Sequence, residues 1–164
     1  MTSSRKSVVL VAVSPRSVEA RDLMRAYFDD ILCRAYGRPA TDEEIDSAVG
    51  NAPSDDLAPP HGLFLVARQD DAAVACAALL LLPPATAEVR RVFTAPAARG
   101  QGIAALLLRE LETRARDLGV TRMRLDTRDD LVEARRMYSR LGYVDVPAFN
   151  DDPYVDHWLA KTLP

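Results

Sequence analysis

The segment Val89 to Leu108 reads VRRVFTAPAARGQGIAALLL, and its reading decides how the rest of the chain is arranged. A β-branched and aromatic run ending at Thr94 predicts a strand, which passes through Pro96 into Arg99, Gly100, Gln101 and Gly102 before a helix begins. Free backbone amides at a helix start, with the positive end of the helix dipole, suit a pyrophosphate. Gly100 and Gly102 lack a Cβ, so the backbone there can turn sharply and approach an anion closely. A plain turn fits the same two glycines. Gly100, Gly102 and Ala105 also satisfy G-x-G-x-x-A, with Asp126 ending the next strand, as in a dinucleotide-binding unit. Against that reading stand the long lead-in from Phe93 to Gly100 and the short remainder after Asp126, too little to finish a doubly wound sheet. No GK[ST] follows, which excludes a P-loop.

Downstream, Ile103, Ala104, Leu107, Leu108, Leu111, Ala115 and Leu118 form the apolar face of a helix from Gln101 to Leu118, with Gly119 past its end. Thr121 to Asp126 alternates as a strand. A helix through Leu131, Ala134, Met137, Tyr138 and Leu141 follows, closed by Gly142, and then two short β-like pieces near Tyr143 to Val146 and Tyr154 to Leu159. Upstream, Gly62 to Arg68 and Ala73 to Leu82 predict a hairpin turning at Gln69, Asp70 and Asp71 and ended by Pro83 and Pro84. Asn51 to His61, rich in proline and aspartate, reads as a mobile surface loop at the rim of a substrate opening. The chain starts with a strand at Val8 to Val13. Ser14 then caps a helix with Pro15 in its first turn, and its apolar face runs from Val18 to Ala35. Thr41 and Glu44 form a capping box opening a second helix that Gly50 closes. This order predicts one mixed α/β (α+β) domain over residues 1–164, a largely antiparallel sheet covered by helices.

Composition narrows the function. With 164 residues, 48% hydrophobic and 27% charged, the chain is ordinary for a globular domain. A net charge of −3 gives no chain-wide basic field, so no nucleic-acid partner is expected. Met1 to Ser7 are polar and basic, and the apolar run after them is too short for a leader's core or a span, so no membrane role is expected. Cys33 and Cys76 lie far apart without metal-ligand spacing; they read as two buried thiols of a cytoplasmic protein with no metal.

The run EVRRVFTAPAARGQGIAALLL, followed by MRLDT and ARRMYSRLGY, resembles the GNAT N-acetyltransferases. The likeness lies in the R-x-x-G-x-A loop at Arg99, Gly102 and Ala104 and in the helix ending Met-Tyr-x-x-Leu-Gly-Tyr. It implies a GNAT-like sheet with helices on both faces and acetyl-CoA as cosubstrate. Its pyrophosphate would lie on the amides of Arg99, Gly100, Gln101, Gly102, Ile103 and Ala104, and its pantetheine arm along Val92, Phe93 and Thr94, where such sheets splay. It also implies catalytic roles for two residues. Tyr138 matches the tyrosine beside the thioester sulfur. A phenol with a pKa of about 10 can protonate a departing thiolate whose thiol has a pKa of about 8.5. Glu88 stands where relatives often carry the base that deprotonates the amine. Read alone, Tyr138 equally fits a core aromatic and Glu88 a solvated strand residue. Leu131 departs from the pattern, which commonly has asparagine there, and His157 and Trp158 are further candidates for the acceptor pocket. The implied reaction moves an acetyl group to a primary amine of a small molecule, amino acid or protein, and the resemblance makes a homodimer an expectation. A non-catalytic acyl-CoA sensor and a nicotinamide-dinucleotide binder remain the alternatives.

Overall fold

The computed structural model describes residues 6–164; of the polar lead-in expected at Met1 to Ser7, and of the domain expected over 1–164, residues 1–5 lie outside that description. The strands are β1 (Val8–Ala12), β2 (Gly62–Gln69), β3 (Ala72–Leu82), β4 (Thr86–Thr94), β5 (Arg122–Thr127), β6 (Val144–Asp145) and β7 (His157–Thr162). The helices are α1 (Val18–Tyr36), α2 (Asp42–Asn51), α3 (Ile103–Asp117) and α4 (Val132–Arg140). One sheet contains all seven strands in the order β1-β2-β3-β4-β5-β7-β6. Every neighbouring pair is antiparallel except β4 and β5.

The unbroken apolar run of β2 and β3 follows from this architecture, because both faces of these central strands are covered. Leu65, Ala67, Ala75, Ala77 and Leu79 face a core with α3 residues, whereas Phe64, Val66, Cys76 and Ala78 face one with Ala20, Leu23 and Met24 of α1. Helices therefore lie on both faces, as the resemblance implied. Leu107, Leu108 and Leu111 of α3 are fully buried. Each contributes about 1.5–3 kcal/mol relative to an exposed leucine, which fixes how α3 lies on the sheet and where its N-terminus points. At β2, Gly62 is required by space: a Cβ there would stand 2.1 Å from the Leu79 carbonyl oxygen.

Several local expectations are corrected. Ser17, not Ser14, caps α1, accepting the Ala20 amide, while Ser14 accepts the Arg16 amide in the preceding turn. The capping box at Thr41 and Glu44 is formed, but α2 runs past Gly50 to Asn51. The β2–β3 turn has two residues, Asp70 and Asp71, both with positive φ, which matches the right-handed strand twist. The final strand begins at His157, later than expected. Leu118 is outside α3 and 61% exposed; the buried stripe instead takes in Glu112. Cys76 is buried but Cys33 only half so, and both are free.

Glu112 is sustained by neighbours distant in the chain. Its carboxylate accepts the Tyr143 hydroxyl at 3.1 Å and the Lys161 ammonium at 3.1 and 3.0 Å. Burial and that carboxylate push the Tyr143 phenol well above its ordinary value. Truncating one partner of a buried ion pair leaves the other charge uncompensated. Because the Lys161 side chain stays 22% exposed, Glu112→Ala is expected to lower unfolding free energy by about 2–3 kcal/mol in urea titration, less than for a fully buried pair but beyond the loss from a surface glutamate.

Candidate active site

The site originates in a failure of pairing. β4 and β5 pair only through Thr86, Ala87 and Glu88 against Arg122, Met123 and Arg124; beyond them the strands diverge. On its other side β4 stays bonded to β3 through Phe93 and Thr94, with a bulge where Arg91 and Val92 stand opposite Ala77. Arg91 at the bulge has φ 57°, a left-handed conformation unusual for a non-glycine residue. The divergence opens two clefts that meet at Asp30, Val92, Phe93, Leu131 and Tyr138.

The first cleft, about 1120 Å³, runs from Val92, Phe93 and Thr94 to Arg99, Gly100, Gly102, Ile103 and Ala104, with α4 as its other wall. Gly100 and Gly102 have φ of 78° and 76°, and a Cβ on either would meet nothing within 4 Å. Backbone conformation, not crowding, therefore selects glycine here, and the space beside the loop is open. No side chain caps α3. Among the described residues the amides of Gly102, Ile103, Ala104 and Ala105 make no hydrogen bond, leaving a row of donors at the positive end of the dipole. The Gln101 side chain accepts from Gln69 at 2.8 Å, and the Arg99 guanidinium donates to the Thr94 carbonyl at 3.0 Å, so both ends of the loop are anchored. These donors and this open space fit a diphosphate. Leu131 sits at the uncapped start of α4 and supplies no polar contact.

The second cleft, about 1130 Å³, lies across the splay. It explains another correction: only Ala20, Leu23 and Met24 of the apolar face expected on α1 are buried. Tyr27, Phe28, Ile31, Leu32 and Ala35 instead line the cleft that the diverging strands open, Tyr27 at its edge still packing edge-on against Phe93 of β4. Asn51, Ala52 and Pro53 of the predicted rim loop line it too, and that loop is tethered, with Leu57 in the core and Arg91 bonded to Ser54 and to the Ala52 carbonyl.

Tyr138 is 5% exposed at the junction of the clefts. Its ring packs edge-on to Tyr143. The phenol oxygen has no hydrogen-bond partner among the described residues, yet no fully buried polar side-chain atom there is unpartnered, so this oxygen is open to the cleft. Burial pushes the phenol well above its ordinary range and keeps it protonated. Glu88 lines the second cleft, but each carboxylate oxygen is taken: Oε1 by Arg90 and Oε2 by Arg124, both at 2.9 Å. Cys76 is sealed in the core, where burial pushes its thiol up to about 12, and neither cysteine lines a cleft.

Asp126 is the residue the sequence underrated. It lies past the last β4–β5 pair and lines the second cleft. Burial raises its carboxyl above the ordinary range, opposed by a 2.8 Å hydrogen bond from the Asn150 amide to Oδ2, while the charges of Glu88 and Asp152 raise it and Arg90 lowers it. Asn150 is itself held by the Trp158 indole N–H at 3.1 Å, so Trp158 acts through Asn150. His157 points away from this cleft and pairs with Asp129 at 2.9 Å. The only signal in the sequence was an aspartate ending a strand; nothing local foretold that β4 would depart from it.

Comparison with known proteins gives a consistent picture. Residues 22–143 match the model of the Acetyltransferase (GNAT) family. An uncharacterized N-acetyltransferase of Schizosaccharomyces pombe is 32% identical over 120 residues, 72% of this chain and 73% of that one. An IAA acetyltransferase of Azospirillum brasilense is 36% identical over 101 residues, 60% of this chain and 63% of its own length. In structure, the PaiA N-acetyltransferase of Thermoplasma acidophilum, solved in complex with coenzyme A, superposes with a TM-score of 0.74 at 18% identity, covering 95% of this chain and 99% of that one.

The tether on Asp126 is testable without substrate. Asn150→Ala removes the one hydrogen bond that favours the ionised form, so the Asp126 carboxyl midpoint, followed by ¹³C NMR, is expected to move upward. An unmoved midpoint would show that the amide contributes nothing there.

Proposed function

Since the chain belongs to the GNAT acetyltransferase family, we propose that it transfers an acetyl group from acetyl-CoA to a primary amine by direct attack in a ternary complex. The observation that carries this reading is the continuity of the two clefts through Tyr138, with unpartnered loop amides at one end and carboxylates at the other. The amides from Gly100 to Ala104 receive the diphosphate, the Arg99 amide expected among them being bonded instead to the Pro96 carbonyl at 3.3 Å, and the edge of β4 at Val92, Phe93 and Thr94 receives the pantetheine arm. The amine enters the second cleft and loses a proton toward the Glu88–Asp126 carboxylate region. Asp126 retains a free oxygen, whereas Glu88 has both engaged by arginines. The amine nitrogen then bonds to the thioester carbon, and a strand amide near Val92 or Phe93 donates to the developing oxyanion. As the carbon–sulfur bond breaks, Tyr138 gives its proton to the sulfur and the second proton of the attacking nitrogen restores the phenol, leaving free thiol and amide. A sealed Cys76 favours this route over one through an acyl-cysteine.

A doubly wound parallel sheet, which the nicotinamide reading needs, is not what these strands form. The sensor alternative is decided by turnover. Calorimetry with coenzyme A should saturate, and a panel of amines should release free thiol; a folded protein showing no heat with millimolar coenzyme A would end the proposal. Tyr138→Phe should lower kcat by about 10²-fold or more while leaving coenzyme A affinity intact. Unchanged turnover would remove Tyr138 from the mechanism. Because protonation disables a carboxylate base, activity should fall as pH drops through the raised Asp126 midpoint. Asp126→Asn should lower kcat and abolish that acid limb, and a limb that persists would assign it to another group.

A further inference from the structure

Three arginines line the acceptor cleft, and they differ in what they face. Arg90 is paired with Glu88 at 2.9 Å and Arg128 with Asp130 at 3.1 Å. Arg91 has no carboxylate within ion-pair distance among the described residues; its contacts are neutral, Nε to the Ser54 hydroxyl at 3.3 Å and Nη2 to the Ala52 carbonyl at 3.1 Å. The guanidinium also lies over the faces of Tyr27 and Phe28, at 5.8 and 5.3 Å from their centroids. Two of its five N–H donors are thus occupied in a way that fixes the fork, the Tyr27 hydroxyl interacts with the guanidinium as well, and at least two donors remain.

Other features make this more than a tether for the loop. The strand places Arg91 at the bulge, in a backbone conformation that is strained for any side chain but glycine. Fixed guanidinium forks match carboxylates bidentately. Across the opening, beyond the last paired residues of β4 and β5, Asp126 presents the opposite sign with no cation within ion-pair distance among the described residues. Apolar and aromatic side chains of α1 wall the space between them. One strand therefore supplies a positive charge and its diverging neighbour a negative one, neither of them held in an ion pair among the described residues.

We propose that the acceptor is an amino acid-like molecule, its carboxylate bound by Arg91, its amine directed to Asp126, and its apolar body resting on Tyr27 and Phe28. This rests on the acyltransfer reading and narrows its substrate class. Matched pairs that differ only in the carboxylate test it: L-phenylalanine against phenethylamine and L-leucine against isoamylamine, assayed with acetyl-CoA for thiol release. The carboxylate-bearing members should be favoured by about 10-fold or more in kcat/KM. Arg91→Gln should remove that preference, mainly through KM, while coenzyme A affinity stays as in the unaltered protein. Arg91→Lys, which keeps the charge but loses the fork, should retain part of it. Equal use of both members in the unaltered protein overturns the proposal even should Arg91→Gln fail to fold, and so does a preference that survives in folded Arg91→Gln. If no amine releases thiol, the acyltransfer reading falls by itself. Calorimetric titration of the same pairs into coenzyme A-loaded protein then decides the role of Arg91: tighter binding of the carboxylate member supports it, and indifference overturns it.

Discussion

The site depends on one interruption in the hydrogen-bond ladder: after Glu88 meets Arg124, the parallel strands β4 and β5 no longer pair. A sheet exposing unpaired edges in its interior is ordinarily unfavourable, because buried amides and carbonyls need partners. Here the bulge turns β4 away, and the opening is bounded on one side by α1 and on the other by α3 and α4. Glu88 stands at the fork itself, bridging Arg90 of its own strand and Arg124 of the next. A carboxylate clamped by two cations at the last point of contact holds the strands in register before they part. Its place in the fold is thus architectural.

Much of this was legible in the chain. The element order follows from periodicity and breakers: the valine run of β1, the capping box at Thr41, the hairpin around Asp70, and the leucine face of α3. The phosphate-type loop was legible because conformation there is local: glycines that must take positive φ are placed by the same residues that begin the helix. What was not legible was long-range. The apolar residues in the second half of α1 look like core by spacing, and only the splay turns them into a cavity wall. Glu112 reads as a break in an apolar stripe until Lys161 and Tyr143 are brought beside it. Asp126 and Arg91 gain meaning only from what is absent around them, and no single strand of sequence records that.

The two clefts divide the chemical work by origin. The side proposed for the coenzyme is built mainly from backbone groups, the amides ahead of α3 and the edge of β4, which any side-chain pattern able to keep the fold can present. The acceptor side is built from side chains on α1, the loop after α2, and the diverging strands. The family relationship bears on the side built from backbone groups and leaves the acceptor open.

The amide bridge from Gln69 to Gln101 bears on timing. It joins the tip of the β2–β3 hairpin to the turn ahead of α3, and Gln69 is itself largely buried. A glycine-rich turn left free would sample many shapes and have to be gathered by its ligand, slowing capture and weakening it by the lost disorder. Fastened in this way, the turn is shaped in advance, so under the proposed reading encounter with the coenzyme would be governed by diffusion and charge rather than by a slow rearrangement of the loop.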